Sequence, residues 1–189
     1  DIQAILKSGQ PYTAVGECGI DRYWNHAGAT GTGTGDLAGE EQLFKEQLAL
    51  AQRYGLAVII HSRDGFEPTL RCIDEVGWHR GVIHCFSYGK KEAEAFLERG
   101  WYLSFPGTIT YADNAEATFK ITELLRMVPD DRLLLETDAP YLAPQPFRRE
   151  VNTPLNISYT YQAASEYRHC TVEHLCEIVY RNCCKLFSC

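Results

Sequence analysis

The sequence has 189 residues, of which 45% are hydrophobic and 23% are charged, and its formal net charge is −7. This composition is typical of a water-soluble globular protein with a sizeable core. The acidic balance excludes the broadly basic surface of a dedicated nucleic-acid-binding protein, which gains affinity by releasing counterions from phosphates. An anionic substrate would have to be held by bound cations and by local arginines such as Arg63, Arg148 and Arg149.

The absence of a recognisable targeting signal and the spacing of the cysteines together predict a cytoplasmic location. The sequence contains no apolar stretch long enough to cross a bilayer, and residues 1–4 carry no basic region that leads into an apolar one. The eight cysteines show neither a CxxC pair nor zinc-finger spacing. Because several of them fall within apolar patterns, we expect reduced thiols in a reducing compartment.

The predicted elements alternate strand, loop and helix along the chain. A helix over residues 1–8 precedes a strand at 13–16, and apolar residues then recur at helical spacing between Leu43 and Ala51. Glu40 and Glu41 favour the N-terminus of that helix, where acidic side chains meet the positive end of the dipole. We predict this helix over residues 40–54. The remaining predicted elements are strands at 56–61, 81–86, 101–105 and 132–137, and helices at 66–76, 90–99, 114–126, 155–167 and 171–187.

Four apolar runs finish on a side chain that can bind a metal. These side chains are Glu17, His61, His84 and Asp138. Carboxylate and imidazole are ligands that zinc, manganese and magnesium accept. Short apolar runs rich in β-formers are typical of buried parallel strands, so a ligand at the same end of each run places all four on one face of a sheet. The pattern predicts the rim of an active site.

Each of these side chains has a structural interpretation when it is taken alone. A single histidine at a strand end is more often a hydrogen-bonded structural residue, and a single carboxylate there is usually a helix cap. Their recurrence at the same phase of successive units favours a metal site over four independent accidents. Arg63 lies two residues after His61, so we expect it on the same rim as a substrate-binding residue.

Strands that alternate with helices predict an α/β fold with a parallel sheet. Five such units with ligands at their strand ends are typical of a (β/α)8 TIM barrel, whose active site lies at the C-terminal face of the strands. A whole barrel needs about 250 residues. We therefore expect the C-terminal five or so βα units in a single domain over 1–189, an incomplete TIM-like barrel that lacks the first strands through N-terminal truncation.

The glycine-rich segment 27–39 fits the letters of a dinucleotide fingerprint, GxGxxA, at residues 33–38. That motif needs a strand that runs directly into its first glycine, and residues 22–32 separate it from Glu17. We therefore predict a rim loop and no nucleotide cofactor. Tyr23 or Trp24, just before the loop, could stack on a base or pack in the core.

Five stretches of sequence follow one another along the chain: GECGID at 16–21, IIHSRD at 59–64, GVIHCFS at 81–87, YLSF at 102–105 and LETDAPYL at 135–142. In this order they resemble the motifs of the TatD family of metal-dependent deoxyribonucleases. The resemblance also includes Arg148 with residues 152–154, and residues 182–187 near the end. It covers nearly the whole chain, and five motifs in register are far more specific than any one of them.

The resemblance implies an amidohydrolase-type TIM barrel that binds two divalent metal ions, Mg, Mn or Zn, and hydrolyses the phosphodiester bonds of DNA. Glu17 would touch both metals, and His61 and His84 would hold the second. Asp138 would bind the first metal and orient or deprotonate the attacking water, which makes Asp138 and Glu17 the catalytic residues. The family also has an HxH pair on its first strand, and this sequence contains no HxH. We therefore expect only one complete metal site in the chain.

Two other functions fit the same residues. The barrel could cleave a small amide or ester, as other amidohydrolase-like proteins do. It could also be a truncated barrel that binds one metal or a partner subunit without turnover. The sequence predicts no membrane association and leaves the oligomeric state open.

Overall fold

The computed structural model describes residues 2–7, 10–26 and 35–189. The chain divides into two compact units, Asp1–Ile83 with Leu186–Ser188, and His84–Lys185 with Cys189. The expectation of a single domain over 1–189 stays a prediction.

In its described residues, the first unit contains three helices and three parallel strands, β1 (Ala14–Asp21), β2 (Ala57–Arg63) and β3 (Gly81–Ile83). Strand β2 pairs with β1 on one side and with β3 on the other, and both pairings are parallel. Asp36 accepts a hydrogen bond from the backbone N–H of Gly39 and so caps the second helix, which ends at Gly55 in a left-handed conformation. The elements are α1 (Ile2–Leu6), β1 (Ala14–Asp21), α2 (Leu37–Tyr54), β2 (Ala57–Arg63), α3 (Phe66–Val76) and β3 (Gly81–Ile83).

One face of α2 explains how this unit holds its strands. Phe44, Leu48 and Ala51 recur at helical spacing, and none of them is exposed. The strands contribute Ile20 and Ile60, which are equally buried. Because each large apolar side chain contributes about 1.5–3 kcal/mol on burial, this packing fixes the strands whose far ends carry the polar residues.

The second unit contains two strands and four helices. Strands β4 and β5 pair in parallel, with Leu103 opposite Leu133 and Phe105 opposite Leu135. Short 3-10 turns cover Gly107–Tyr111, Asp130–Arg132 and Pro154–Asn156. The longer elements are α4 (Lys90–Glu98), β4 (Tyr102–Phe105), α5 (Ala115–Met127), β5 (Leu133–Leu135), α6 (Ile157–Arg168) and α7 (Val172–Phe187).

The aromatic core of the second unit explains where one predicted strand stops. The strand expected at 81–86 ends at Ile83, because Cys85 adopts a left-handed backbone with φ of 50°. Phe86 is nevertheless buried and packs edge-on against Phe96 and Phe105, with ring centroids 6.4 and 5.8 Å away. Phe86 is apolar because it packs in the core. In the sequence, this apolar residue therefore looks like a continuation of the strand.

The order of elements confirms the α/β prediction, and the differences lie at element ends. Helix α3 has the predicted bounds, 66–76. Strand β1 continues to Asp21, past the predicted end at Glu17, whereas β5 stops at Leu135 instead of residue 137. Across residues 2–7, 10–26 and 35–189, no helix combines the length and apolarity needed to cross a bilayer.

Candidate metal centre

Glu17 lies at a bulge in strand β1. The pairing is regular up to Val15 opposite Val58 and resumes at Cys18 opposite Ile60, so residues 16 and 17 face Ile59 alone. An extra residue of this kind bends the strand and redirects a side chain, and such bulges are common beside active sites. A side chain at Gly16 would place its Cβ 2.7 Å from Cβ of Ile59. The glycine therefore permits the close approach that sets Glu17.

A second glycine brings β1 against the histidine of β2. Gly19 pairs with His61 and has a φ of +145°, a backbone conformation that side chains rarely adopt. An added Cβ would lie 1.9 Å from the backbone oxygen of His61. The sequence Glu17-Cys18-Gly19 therefore provides both the carboxylate and, at Gly19, the space that the backbone of His61 requires.

The imidazole of His61 lies between two carboxylates. Its Nδ1 is 3.0 Å from Oε1 of Glu17, and its Nε2 is 3.0 Å from Oδ2 of Asp21. The second oxygen of Asp21 accepts a hydrogen bond from the backbone N–H of Trp24 at 2.9 Å. The backbone N–H of Asp21 donates to Oε1 of Glu40, also at 2.9 Å. Asp21 is therefore held in place, and it in turn orients the ring.

Asp21 is a site residue that the sequence interpretation missed. A metal-ligating histidine almost always donates its other ring N–H to a carboxylate or carbonyl, which fixes the tautomer. The sequence carries a signal for this, because residues 17, 19 and 21 have the spacing of a single strand face. Because the predicted strand ends at Glu17, Asp21 falls outside it and the shared face is not recognised from the sequence.

The two carboxylates also change the charge of the histidine. Hydrogen bonding to Glu17 raises the pKa of His61, partial burial opposes this shift, and hydrogen bonding to Asp21 adds to it. Positive charge is therefore favoured between these acids. A divalent cation at Nδ1 satisfies the same requirement, because metal and proton compete for that lone pair. The donor set fits a metal ion.

His84 shows a matching arrangement in the second unit. Its Nδ1 lies 3.2 Å from Oε1 of Glu136, and the side chain of His84 is 11% exposed. Glu136 also accepts hydrogen bonds from the backbone N–H of Cys85 at 2.5 Å and from Oγ of Ser104 at 2.7 Å. These contacts hold the carboxylate in place, and the carboxylate in turn orients the imidazole of His84. Glu136 is the second residue that the sequence interpretation missed.

Asp138 lies in the loop that follows β5 and has a left-handed backbone with φ of 55°. Such a conformation is uncommon outside glycine, although aspartate tolerates it better than most residues. The carbonyl of Asp138 accepts a hydrogen bond from the backbone N–H of Tyr141 at 2.8 Å, which closes a turn. The carboxylate is thus placed by a turn rather than by the strand itself.

Arg63 ends β2 and is exposed. Its guanidinium carbon lies 3.7 Å from the ring centre of Tyr23, a cation–π contact. Tyr23 and Trp24 are 49% and 55% exposed, and their rings meet edge-on at 4.8 Å. Packing in the core is therefore the wrong interpretation for both rings. Most of the glycine-rich segment beside them, residues 27–34, lies outside the described residues.

Within the first unit, Glu17 and His61 offer a carboxylate oxygen and ring nitrogens that a metal ion can accept as ligands. The structure brings Glu17 and His61 into direct contact within the first unit. Coordination of a common ion by these residues together with Asp138 stays a prediction.

Sequence comparison relates the chain to known metal-dependent hydrolases. The family model described as TatD related DNase matches residues 1–188. The uncharacterized metal-dependent hydrolase YabD of Bacillus subtilis is 33% identical over 184 residues, which are 96% of this chain and 68% of YabD. Escherichia coli YcfH, with the same description, is 32% identical over 96% of this chain and 65% of its own length. A Cronobacter turicensis protein named 3'-5' ssDNA/RNA exonuclease TatD is 38% identical over 74% of this chain and 50% of its own.

Structural comparison confirms the TIM-barrel type of α/β fold. The crystal structure of the TatD homolog YjjV from Escherichia coli superimposes with a TM-score of 0.84 at 29% identity, covering 99% of this chain and 68% of YjjV. An uncharacterized amidohydrolase from Saccharomyces cerevisiae has a TM-score of 0.76 at 14% identity, over 98% of this chain and 68% of its own, a likeness of fold alone. The chain spans about two thirds of the length of YabD, YcfH and YjjV. With a family model matched over residues 1–188, the chain belongs to the TatD related DNase family.

Proposed function

We propose that this protein is a divalent-metal-dependent hydrolase of DNA phosphodiester bonds, with Glu17, His61, His84 and Asp138 as metal ligands. The observation that supports this most directly is the position of His61 between two carboxylates, at 3.0 Å from each. Relatives named as metal-dependent hydrolases support the reaction class, and the relative named as a ssDNA/RNA exonuclease supports the substrate.

The chemistry of the proposed reaction explains this choice of residues. A bound divalent cation, Mg, Mn or Zn, would lower the pKa of a coordinated water and offset the charge of an anionic phosphodiester. Asp138 is the proposed acceptor of the proton from the attacking water, and Glu17 is the second catalytic carboxylate. Asp21 and Glu136 keep the two imidazoles in the orientation that ligands need.

We propose that positively charged and aromatic side chains near the ends of the strands bind the substrate. We assign phosphate binding to Arg63, whose planar guanidinium can donate two parallel hydrogen bonds to phosphate oxygens. The guanidinium carbon of Arg63 lies 3.7 Å from the ring centre of Tyr23. The ring of Tyr23 is also exposed, so a base can stack on it. No nucleotide cofactor takes part in the proposed reaction.

The proposed metal stoichiometry follows from the residues available. The family pattern includes an HxH pair that has no counterpart in this sequence. We propose that the residues of this sequence hold one cation, chiefly through Glu17, His61 and His84, of the two that the family pattern implies. Metal analysis of the protein after dialysis should give a content closer to one ion than to two per chain.

The deciding experiment combines metal content with cleavage of single-stranded DNA. His61→Ala and Glu17→Ala should lose metal and activity together. The matched controls are His79→Ala and Glu46→Ala, which remove exposed side chains of the same types in the same unit. If the site variants retain both metal and cleavage, the assignment is wrong.

Turnover of small amides or esters without DNA cleavage selects the amidohydrolase alternative, and metal binding without turnover selects the non-catalytic one.

The cytoplasmic location is also a proposal. It is supported by the cysteine spacing in the sequence and by the eight cysteines, which are reduced in the structure. Cell fractionation of the protein tests it, and recovery from an oxidising compartment would contradict it.

A further inference from the structure

We propose that the loop over residues 139–156 forms a subsite for single-stranded nucleic acid, in which Tyr141 stacks on a base and Arg148 and Arg149 bind phosphates. The inference rests on the proposed function, because it names the contacts of the same substrate outside the metal centre. All of its residues belong to the second unit.

The loop concentrates apolar surface that the core does not use. Tyr141 is 70% exposed, Val151 is 76% exposed and Leu155 is 85% exposed. Single exposed apolar side chains are ordinary, but their concentration in one segment is typical of a binding surface. An exposed aromatic ring offers a flat face to any base, and stacking of this kind tolerates every sequence.

The loop is ordered by a buried side chain. Asn152 is 3% exposed, and its Nδ2 donates to the backbone oxygens of Thr137 and Tyr141, both at 2.7 Å. Its backbone N–H donates to the carbonyl of Pro140 at 3.0 Å. One side chain thus ties the end of the β5 segment to the loop. A ring on a fixed backbone loses little conformational freedom when a base stacks on it.

The same turn places Tyr141 close to a proposed catalytic residue. Its backbone N–H bonds to the carbonyl of Asp138 at 2.8 Å, so the ring is three residues from that carboxylate and on the same turn. A nucleotide whose phosphate reaches Asp138 would therefore present a neighbouring base to this ring. Continuity with the proposed metal centre favours a polynucleotide over an unrelated ligand.

The charge of the loop is opposite to that of the protein. Residues 139–156 contain Arg148, Arg149 and one acid, Glu150, whereas the whole chain has a net charge of −7. Both arginines are exposed. The guanidinium of Arg148 lies 4.3 Å from the ring centre of Tyr111, whose hydroxyl donates to the backbone oxygen of Ala143 at 2.7 Å. A positioned guanidinium and an exposed ring, Tyr141, on the same loop match the phosphates and bases that a single strand presents.

Binding can be measured without turnover by using a fluorescein-labelled phosphorothioate oligothymidylate, whose linkages resist hydrolysis, in fluorescence anisotropy with manganese present. Tyr141→Ala should weaken binding by roughly 5- to 150-fold, the value of one stacked base. Tyr141→Phe should retain binding. Arg149→Ala should make the salt dependence of binding shallower. The magnitude of the slope of log association constant against log salt concentration should fall by about 0.7, the contribution of one phosphate contact on a single strand.

The second unit provides matched controls on helix α7. Tyr180 is also 70% exposed, and Arg181 beside it is exposed as well. Tyr180→Ala and Arg181→Ala should leave both affinity and salt slope unchanged. Duplex DNA of the same length should bind more weakly than the single strand, because its bases are already stacked.

The outcomes separate this inference from the proposed function. If Tyr141→Ala binds like wild type, or if Tyr180→Ala weakens binding as much, the subsite is refuted even when DNA is cleaved. If Tyr141→Ala weakens binding but ordinary DNA is never cleaved, the subsite stands and the proposed function fails. Failure of the wild-type protein to bind any oligonucleotide refutes the subsite and leaves the surface to a protein partner.

Discussion

Replacement of Asp21 by asparagine tests whether the carboxylate behind His61 serves the metal. The substitution keeps the size of the side chain and removes its charge. In the structure, Oδ2 of Asp21 lies 3.0 Å from Nε2 of His61, and Oδ1 accepts from the backbone N–H of Trp24 at 2.9 Å. Asparagine can keep one of these hydrogen bonds but not the negative charge that favours a positively polarised ring.

The expected size of the effect follows from comparable metal sites. Loss of a carboxylate that orients a ligating histidine typically costs 10–100-fold in metal affinity, which corresponds to about 1.4–2.8 kcal/mol. Because Asp21 also raises the pKa of His61, the substitution should move that pKa downward. Asp21→Asn should therefore bind manganese about 10- to 100-fold more weakly and titrate His61 at lower pH.

Isothermal titration with manganese measures the affinity, and NMR of the imidazole follows the titration of His61 in the metal-free protein. Glu46→Gln is the control, because it removes one exposed acid from α2 without approaching His61. Wild-type manganese affinity in Asp21→Asn, with a folded circular-dichroism spectrum, would refute an orienting role for Asp21. An equal loss of affinity in Glu46→Gln would assign the effect to overall charge instead.

Three further predictions follow from particular contacts. Gly19→Ala should lower the free energy of unfolding by at least about 2 kcal/mol, since the added Cβ would lie 1.9 Å from the backbone oxygen of His61; urea denaturation measures this, and an unchanged midpoint contradicts it. Since the folded-state pKa of His61 is raised, its contribution to metal-free stability should be complete below its ordinary pKa and lost as the pH rises through the raised value. Manganese binding should change in the opposite direction and weaken as the pH falls through that same value; melting curves in EDTA and in manganese across pH should therefore diverge, and parallel curves exclude this role for His61. Asn152→Ala should weaken oligonucleotide binding while the protein stays folded, because two backbone oxygens of the loop lose their donor; anisotropy and circular dichroism check this, and wild-type affinity would show that the loop does not need the asparagine.

Periodicity and motif order in the sequence were sufficient to predict the α/β class and most elements. Helix α3 has the predicted bounds because its apolar pattern and the glycines at both ends are local signals. The same local logic identified Glu17, His61, His84 and Asp138 as candidates, since each follows an apolar run. Residues 81–86 were wrongly predicted as a continuous strand, because burial of Phe86 against Phe96 and Phe105 resembles a strand pattern.

The sequence by itself determined which residue types stand near the strand ends, because chain order and apolar spacing are written in it. Only the tertiary structure decided that Asp21 and Glu136 support the two histidines, through contacts that span 40 residues in one case and 52 in the other. Such pairings depend on the bulge at Glu17, the close approach at Gly19 and the register between strands. A hydrogen bond requires two groups within about 3 Å, and a local sequence pattern carries no information on the distance between remote residues. Each carboxylate can therefore be assigned to its histidine only once the strands are paired.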